Sequence, residues 1–364
     1  VIDPQVWQQR AGAAEAAVLG RHLRRVLSLP DTSLGVVSWP AAPGHRLFLR
    51  WHLWWQAHLL DCAVDAWLRS PDDRRARTVR AMARSIWLRN LGRYTNDYYD
   101  DMAWIALALQ RAVPAGVHPQ SIRGPVTAIL DAWSPPVGGI PWRRGDDFYN
   151  SPANAPAAIL LARSGFTRRA GQLADWIDQY LRTPGSALIA DGFHPGEDLK
   201  PVFFTYNQGA TLGAEVELAA RGADHSRVHR LVAAVATEMT SGGVLVGHGG
   251  GDPGLFTGIL GRYLALVSTR LPGSTPADDT ARATAAELVI TSAAAAWDHR
   301  VQARHGPLFG PDWTVPARVP GRGRPCRASG RERLASAEQP ERDLSVQLSG
   351  WMITEAAALL VRAD

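Results

Sequence analysis

Two aspartates stand side by side in the stretch TNDYYDDMAW, residues 95–104, where Asp100 and Asp101 follow Tyr98 and Tyr99 and lead into an apolar run. In the first turn of a buried helix, one carboxylate keeps its charge with help from free N–H groups and the positive end of the helix dipole. Its neighbour, crowded by that charge and partly cut off from water, is pushed toward the protonated form. Two carboxyl groups with opposed protonation needs are the equipment of a glycosidase, one acting at the anomeric carbon and the other protonating the departing oxygen. Consecutive helical residues project about 100° apart, so the two carboxyl groups can lie roughly 5–6 Å from each other, near the spacing of a retaining mechanism. Acids in a first turn also serve simply as caps. Capping, however, does not call for Tyr98, Tyr99 and Trp104 as neighbours, nor for aromatic and amide clusters at five other helix starts.

The elements that must position such a pair are helices. Apolar residues at three- and four-residue spacing mark twelve segments, starting near Pro4, His45, Asp73, Tyr98, Pro119, Tyr149, Thr167, Tyr206, Asp224, Pro253, Pro276 and Arg342. Strand-like alternation is confined to short pieces such as GGVLVG at 242–247. The connections alternate in length. Short turns follow the second, fourth, sixth, eighth and tenth segments, and each short turn makes an antiparallel hairpin. Long Gly/Pro/Trp-rich connections follow the odd ones and therefore all emerge at one end. The even segments are also the more apolar, as in MAWIALAL and NAPAAILLA, and a helix apolar around most of its circumference has to be buried. The expected fold is all-α: an (α/α)6 toroid of six inner and six outer helices with a funnel on the long-loop face, spanning residues 1–364 as one catalytic domain.

Six inner N-termini then point into one funnel, carrying HRLFLRWHLWW, TNDYYDD, GDDFYNSPAN, FFTYNQG, GGGDPGLF and DLSVQLSGW. Sugar rings stack their C–H faces on aromatics and take hydrogen bonds from amides and carboxylates. The candidates are Trp54, Trp55, Tyr98, Trp142, Tyr206 and Trp351 for stacking, with Asn150, Asn154, Asp191, Asn207 and Gln208 for hydroxyls. Asn207 and Gln208 are placed at the floor of the funnel.

At this point the chain resembles glycoside hydrolase family 76. The motifs YYDDMAWIALAL, GGIPW…YNSPAN, DGF, TYNQG…GAEVEL, GLFTGILGRYLALV, FGPDW and QLSGWMITEAAA carry the resemblance from about Trp51 to Ala358. It implies endo-acting hydrolysis of α-1,6-mannan or lipomannan-type chains with retention, Asp100 as nucleophile and Asp101 as acid/base. A transglycosylase with the same acids and a non-catalytic glycan-binding toroid are the alternatives. Ile105 stands where the family often has a second tryptophan, and LFTGIL departs from the usual LFKGIF.

Composition excludes several other classes. The chain has 364 residues, 46% hydrophobic and 20% charged, which suits a globular protein with a sizeable core. Its net charge of +5 comes almost wholly from dispersed arginines, Lys200 being the one lysine, so no nucleic-acid surface is expected. Arg318, Arg322, Arg324, Arg327, Arg331 and Arg333 crowd into an Arg/Gly/Pro-rich insertion at about 300–340, read as a solvated loop. Cys62 and Cys326 have no metal or disulfide spacing. His225 and His229 have the four-residue spacing of a helical metal pair, but SRV between them lacks a catalytic glutamate, so neither metal nor cofactor is expected. GGGDPG matches a dinucleotide pattern without the strand–helix alternation it requires, and reads as a tight loop that admits sugar. No apolar run approaches a membrane span. No leader is evident either, giving a cytoplasmic monomer unless an export signal was removed ahead of Val1. The arginine bias suggests a bacterial genome rich in G and C.

Overall fold

The computed structural model describes residues 4–320 and 339–363. Twelve long helices carry the architecture among them: α1 (Pro4–His22), α2 (Leu53–Arg69), α3 (Asp73–Arg89), α4 (Tyr99–Arg111), α5 (Arg123–Asp131), α6 (Ser151–Arg163), α7 (Thr167–Tyr180), α8 (Thr205–Ala219), α9 (Ser226–Glu238), α10 (Phe256–Arg270), α11 (Pro276–Asp298) and α12 (Leu344–Ala363). The even-numbered helices touch one another in order, and α12 returns to α2, so the inner ring is closed. The odd-numbered helices lie outside, each packed on at least one inner helix.

Burial follows the sequence pattern. Every residue of α6 from Ser151 to Ala162 is buried, whereas α9 buries only Val228, Leu231, Val232, Ala234 and Val235 along one face. An inner helix needs apolar or small residues all round; an outer one needs a single stripe. Between α8, α10 and α12 the backbones approach so closely that side chains are excluded. A Cβ on Gly209 would lie 2.7 Å from Leu260 Cα, and one on Gly258 would lie 2.5 Å from Ser349 Cα. The helix α12 is long and apolar enough to cross a membrane by length and composition, but 89% of that stretch is buried in the ring.

Four two-stranded antiparallel pairs among the described residues brace the loops, including the hairpins Thr240–Ser241 with Val244–Leu245 and Val301–Ala303 with Gly306–Leu308. The second helix begins at Leu53 rather than near His45. A single turn at Pro43–Arg46 ends at Leu47, and Phe48 then takes φ 53 with its side chain buried, which breaks the helical path before Trp51. Arg89 donates to the Phe48 carbonyl and holds the break in place. Elsewhere single 3-10 turns, Pro119–Ile122 and Asp252–Leu255, precede the α-helices whose starts the proline positions suggested. Arg322, Arg324, Arg327, Arg331, Arg333 and Cys326 lie outside the described residues.

Candidate active site

The long connection between α5 and α6 is strapped across the start of α4. Tyr99 N–H donates to Trp142 O at 2.9 Å, Arg144 N–H to Asp97 O at 2.8 Å, and Trp142 N–H to Phe148 O at 2.7 Å. This strap brings the Trp142 indole onto the first turn of α4, where Nε1 donates to Asp100 Oδ2 at 3.0 Å. The other Asp100 oxygen accepts the Asp101 N–H at 2.9 Å, so both oxygens of Asp100 are met by donors. Asp101 receives one, from Asn96 Nδ2 to Oδ2 at 2.5 Å.

Electrostatics separates the pair. Burial raises Asp100 to about 7, against the opposing hydrogen bonds from Trp142 and the backbone, with a further small push from Asp252. Asp101 is driven well above the ordinary carboxylate range, first by burial and then by the charge of Asp100. The proton therefore rests on Asp101 before it rests on Asp100. Burial, hydrogen bonds and neighbouring carboxylates are the largest influences on both acids.

A third carboxylate completes the cluster. Asp252, in the turn before α10, accepts Trp54 Nε1 at 3.0 Å and Trp55 Nε1 at 2.8 Å on the same oxygen, and burial raises it too. Asp252 was not among the residues expected from sequence. Its signal was present, an acid at the N-terminal edge of an inner helix, as at Asp100, but it lay inside a glycine-rich string that reads as loop. Tyr206 stacks on Phe256 with ring centroids 3.8 Å apart and planes at 12°, and its hydroxyl acts on the Asp191 carboxyl, favouring its anion. Asn207 Nδ2 donates to Asp191 Oδ1 at 3.2 Å, while its own oxygen is buried without a partner. Tyr98 meets Trp142 edge-on at 5.1 Å. Beneath them His58, packed 4.7 Å from Trp104, is pushed down to about 3 by burial and stays neutral.

Several expected sugar-binding residues belong instead to the scaffold. Gln208 is not at the floor of the funnel: it is fully buried, accepts Ile189 N–H at 2.8 Å and donates to Ile189 O and Phe204 O, clamping the preceding loop. Asn154 does the same to Ile140 and Asn150, and Asn150 caps α6 by accepting Ala153 N–H. Trp351 has no exposed surface and donates to Glu355 one turn further down α12. Trp55 is 3% exposed, too covered to offer a ring face to a sugar, and acts as a donor to Asp252. Buried amides need partners, but here the backbone of the long loops supplies them. The structure brings together Asp100, Asp101, Asp191, Asp252, Tyr206, Asn207, Trp54, Tyr98 and Trp142.

A helical toroid with paired acids and aromatic walls at the open end of its inner ring defines a glycosidase-type site. The model of glycosyl hydrolase family 76 matches residues 30–324, and the chain belongs to that family. Among solved structures, the GH76A α-1,6-mannanase from Salegentibacter sp. HEL1_6 is 26% identical with TM-score 0.79, covering 97% of this chain and 99% of that one. An inactive variant of that mannanase, with two consecutive aspartates replaced by asparagine, is in complex with α-1,6-mannotriose; it aligns at TM-score 0.78 and 26% identity over 97% and 99% of the two chains. The Lin0763 protein from Listeria innocua shares the fold at TM-score 0.80 and 24% identity, over 98% of both chains. Comparison with curated protein sequences finds no match.

Proposed function

We propose that this protein is an endo-acting α-1,6-mannan hydrolase that retains anomeric configuration, with Asp100 as nucleophile and Asp101 as acid/base. The observation that carries the reading is the inequality of the two acids: Asp100 has donors on both oxygens that stabilise its anion, and Asp101 has one donor and a neighbouring negative charge. Asp100 attacks the anomeric carbon as the glycosidic C–O bond breaks, and Asp101 gives its proton to the departing oxygen. Asp101 then takes a proton from water, whose oxygen replaces Asp100 at the same carbon. Trp54, Tyr98, Trp142 and Tyr206 form the walls against which the sugar rings lie, and Asp191, Asn207 and Asp252 bind hydroxyls. The pair of adjacent aspartates whose replacement inactivates the Salegentibacter mannanase supports the same assignment here.

The test separates the two acids. Asp101→Ala should lower turnover of linear α-1,6-mannan by about 10²- to 10⁴-fold, because an alkoxide leaving group needs a proton. Glycosylation by a dinitrophenyl mannoside, whose leaving group departs unaided, should be largely spared. Azide should restore turnover and give the α-configured mannosyl azide. A β-configured azide overturns the two-step scheme, and equal losses on both substrates without rescue remove Asp101 from its role.

A further inference from the structure

The turns at the end of the ring opposite the funnel hold a second cluster that the glycosidase site does not use. His225 immediately precedes α9 and His229 lies one turn further on, so both imidazoles face the same side of that helix. In sequence only Asp224 stands beside them, and its Oδ1 is taken up by the Ser226 N–H and hydroxyl. The fold supplies a third ligand: the hairpin turn between α10 and α11 sets the first turn of α11 beside them, and Asp278 Oδ1 lies 2.8 Å from His225 Nδ1 and 2.9 Å from His229 Nε2.

Three features make this more than a pair of hydrogen bonds. First, the carboxylate is oriented from behind. Asp278 Oδ2 accepts Thr275 N–H at 3.0 Å and the Thr275 hydroxyl at 2.8 Å in a capping box, which leaves Oδ1 directed at the two rings. Such outer partners fix ligand geometry in metal centres. Second, the backbone has been cleared around the cluster. Gly273, at φ 88, sits where a Cβ would come 2.4 Å from Asp278 Oδ2 and 3.1 Å from His225 Cε1. Third, access is one-sided: the Asp278 side chain is 1% exposed, while those of His225 and His229 are 23% and 25% exposed. That gives an entry path and room for a water ligand. All the ligand atoms lie within 4.8 Å of one another.

We infer that His225, His229 and Asp278 form a zinc site that pins α9 to α11 at the closed end of the ring. Two imidazole nitrogens and a carboxylate oxygen are a borderline donor set suited to Zn(II). Ligands at about 2.0–2.2 Å from a tetrahedral zinc stand roughly 3.4 Å apart, so each ring nitrogen retreats by about half an ångström from the Asp278 oxygen, and the two nitrogens, within 4.8 Å of each other, settle at the same spacing. Each neutral ring carries its proton on the nitrogen facing away from the metal, and solvent fills the fourth position. The site lies away from the acids of the funnel, so its effect is on the cohesion of the outer ring.

The test uses the full chain, stripped with EDTA and titrated with zinc chloride. Equilibrium dialysis should retain one zinc per chain, and His225→Gln and His229→Gln should each weaken retention by at least about 10-fold. Zinc should raise the melting temperature of the native chain and fail to raise that of either variant. A readout that needs no variant is protection from diethyl pyrocarbonate: zinc should shield His225 and His229, mapped by mass spectrometry, while exposed His118 still reacts. No zinc retained by the native chain, retention unchanged in both variants, or modification of His225 and His229 unaffected by zinc would each overturn the site.

Discussion

The two ends of the inner ring use the same acidic residues in opposite ways. At the funnel, Asp100, Asp101 and Asp252 are gathered with indoles, an amide and backbone N–H groups, with no ion pair among the described residues, and all three titrate upward because burial dominates. Toward the closed end, Asp61 and Asp65 on α2 meet Arg111 from α4 and Arg262 from α10; Arg262 reaches Asp65 at 2.6 Å. Burial would raise Asp61 as well, but the two guanidinium groups outweigh it and hold it below its ordinary value. Glu355 marks the boundary: it shares Arg69 with Glu15, and burial still lifts it to about 7. One end of the barrel holds its charges in compensated networks that stitch helices together. The other leaves them uncompensated, which costs stability and keeps a proton available for transfer.

Substituting asparagine at each end breaks the comparison most directly. Asp100→Asn should reduce kcat/KM on linear mannan by about 10⁴-fold or more, since an amide cannot form the glycosyl ester; product sizing on α-1,6-mannan checks this, and near-native activity would end the nucleophile assignment. Asp61→Asn should leave the chemistry in place but lower the unfolding free energy by about 3 kcal/mol at pH 7, because Arg111 and Arg262 lose their shared partner in a mostly buried site. Its folded-state pKa is depressed, so the native advantage is present above the ordinary carboxylate range and disappears as pH falls through the folded value. Urea melts at pH 7 and at successively more acidic pH measure both halves of that statement.

Smaller effects sharpen the picture at the funnel. Trp142→Phe removes the N–H on Asp100 Oδ2 and should move the acid limb of the kcat/KM profile upward by about half a unit to one unit, with about 10-fold lower activity; an unmoved limb would mean that Trp142 does not support the Asp100 anion. The smallest effect has the opposite sign to that at Asp61. Asp100 has a raised folded pKa, so the native state loses stability as pH rises from the ordinary carboxylate range to about 7. Asp100→Asn should therefore be more stable than the native chain by about 1 kcal/mol at pH 8 and no different at pH 4.

The closed ring was legible because burial and connection length are written along the chain, residue by residue, in the apolar circumference of segments such as NAPAAILLA. The acid pair was legible for a related reason: charge at the mouth of an apolar helix is conspicuous. What sequence hid was the direction of side chains after the loops had folded. Gln208 and Asn154 sit at helix starts like ligand-binding amides, yet their partners are the peptide groups of Ile189 and Ile140, 19 and 14 residues earlier. Trp55 precedes α10 by some 200 positions in the chain, and nothing local says that its indole ends on Asp252. Likewise His225 and His229 were visible as a pair, while Asp278 came to them only through the packing of α9 on α11.

The glycines between α8, α10 and α12 have a consequence for the aperture of the funnel. Gly258 lies in the first turn of α10 and Gly209 early in the second turn of α8, near the rim, and Gly258 belongs to the helix that faces α4 across the ring. On that side the circumference is drawn tight by backbone-to-backbone contact; elsewhere side chains set the spacing. The arc between α8, α10 and α12 therefore depends on missing methyl groups. The separation between the acid pair on one wall and Asp252 on the other is accordingly a mechanical dimension of the barrel, fixed by atoms that never approach the substrate.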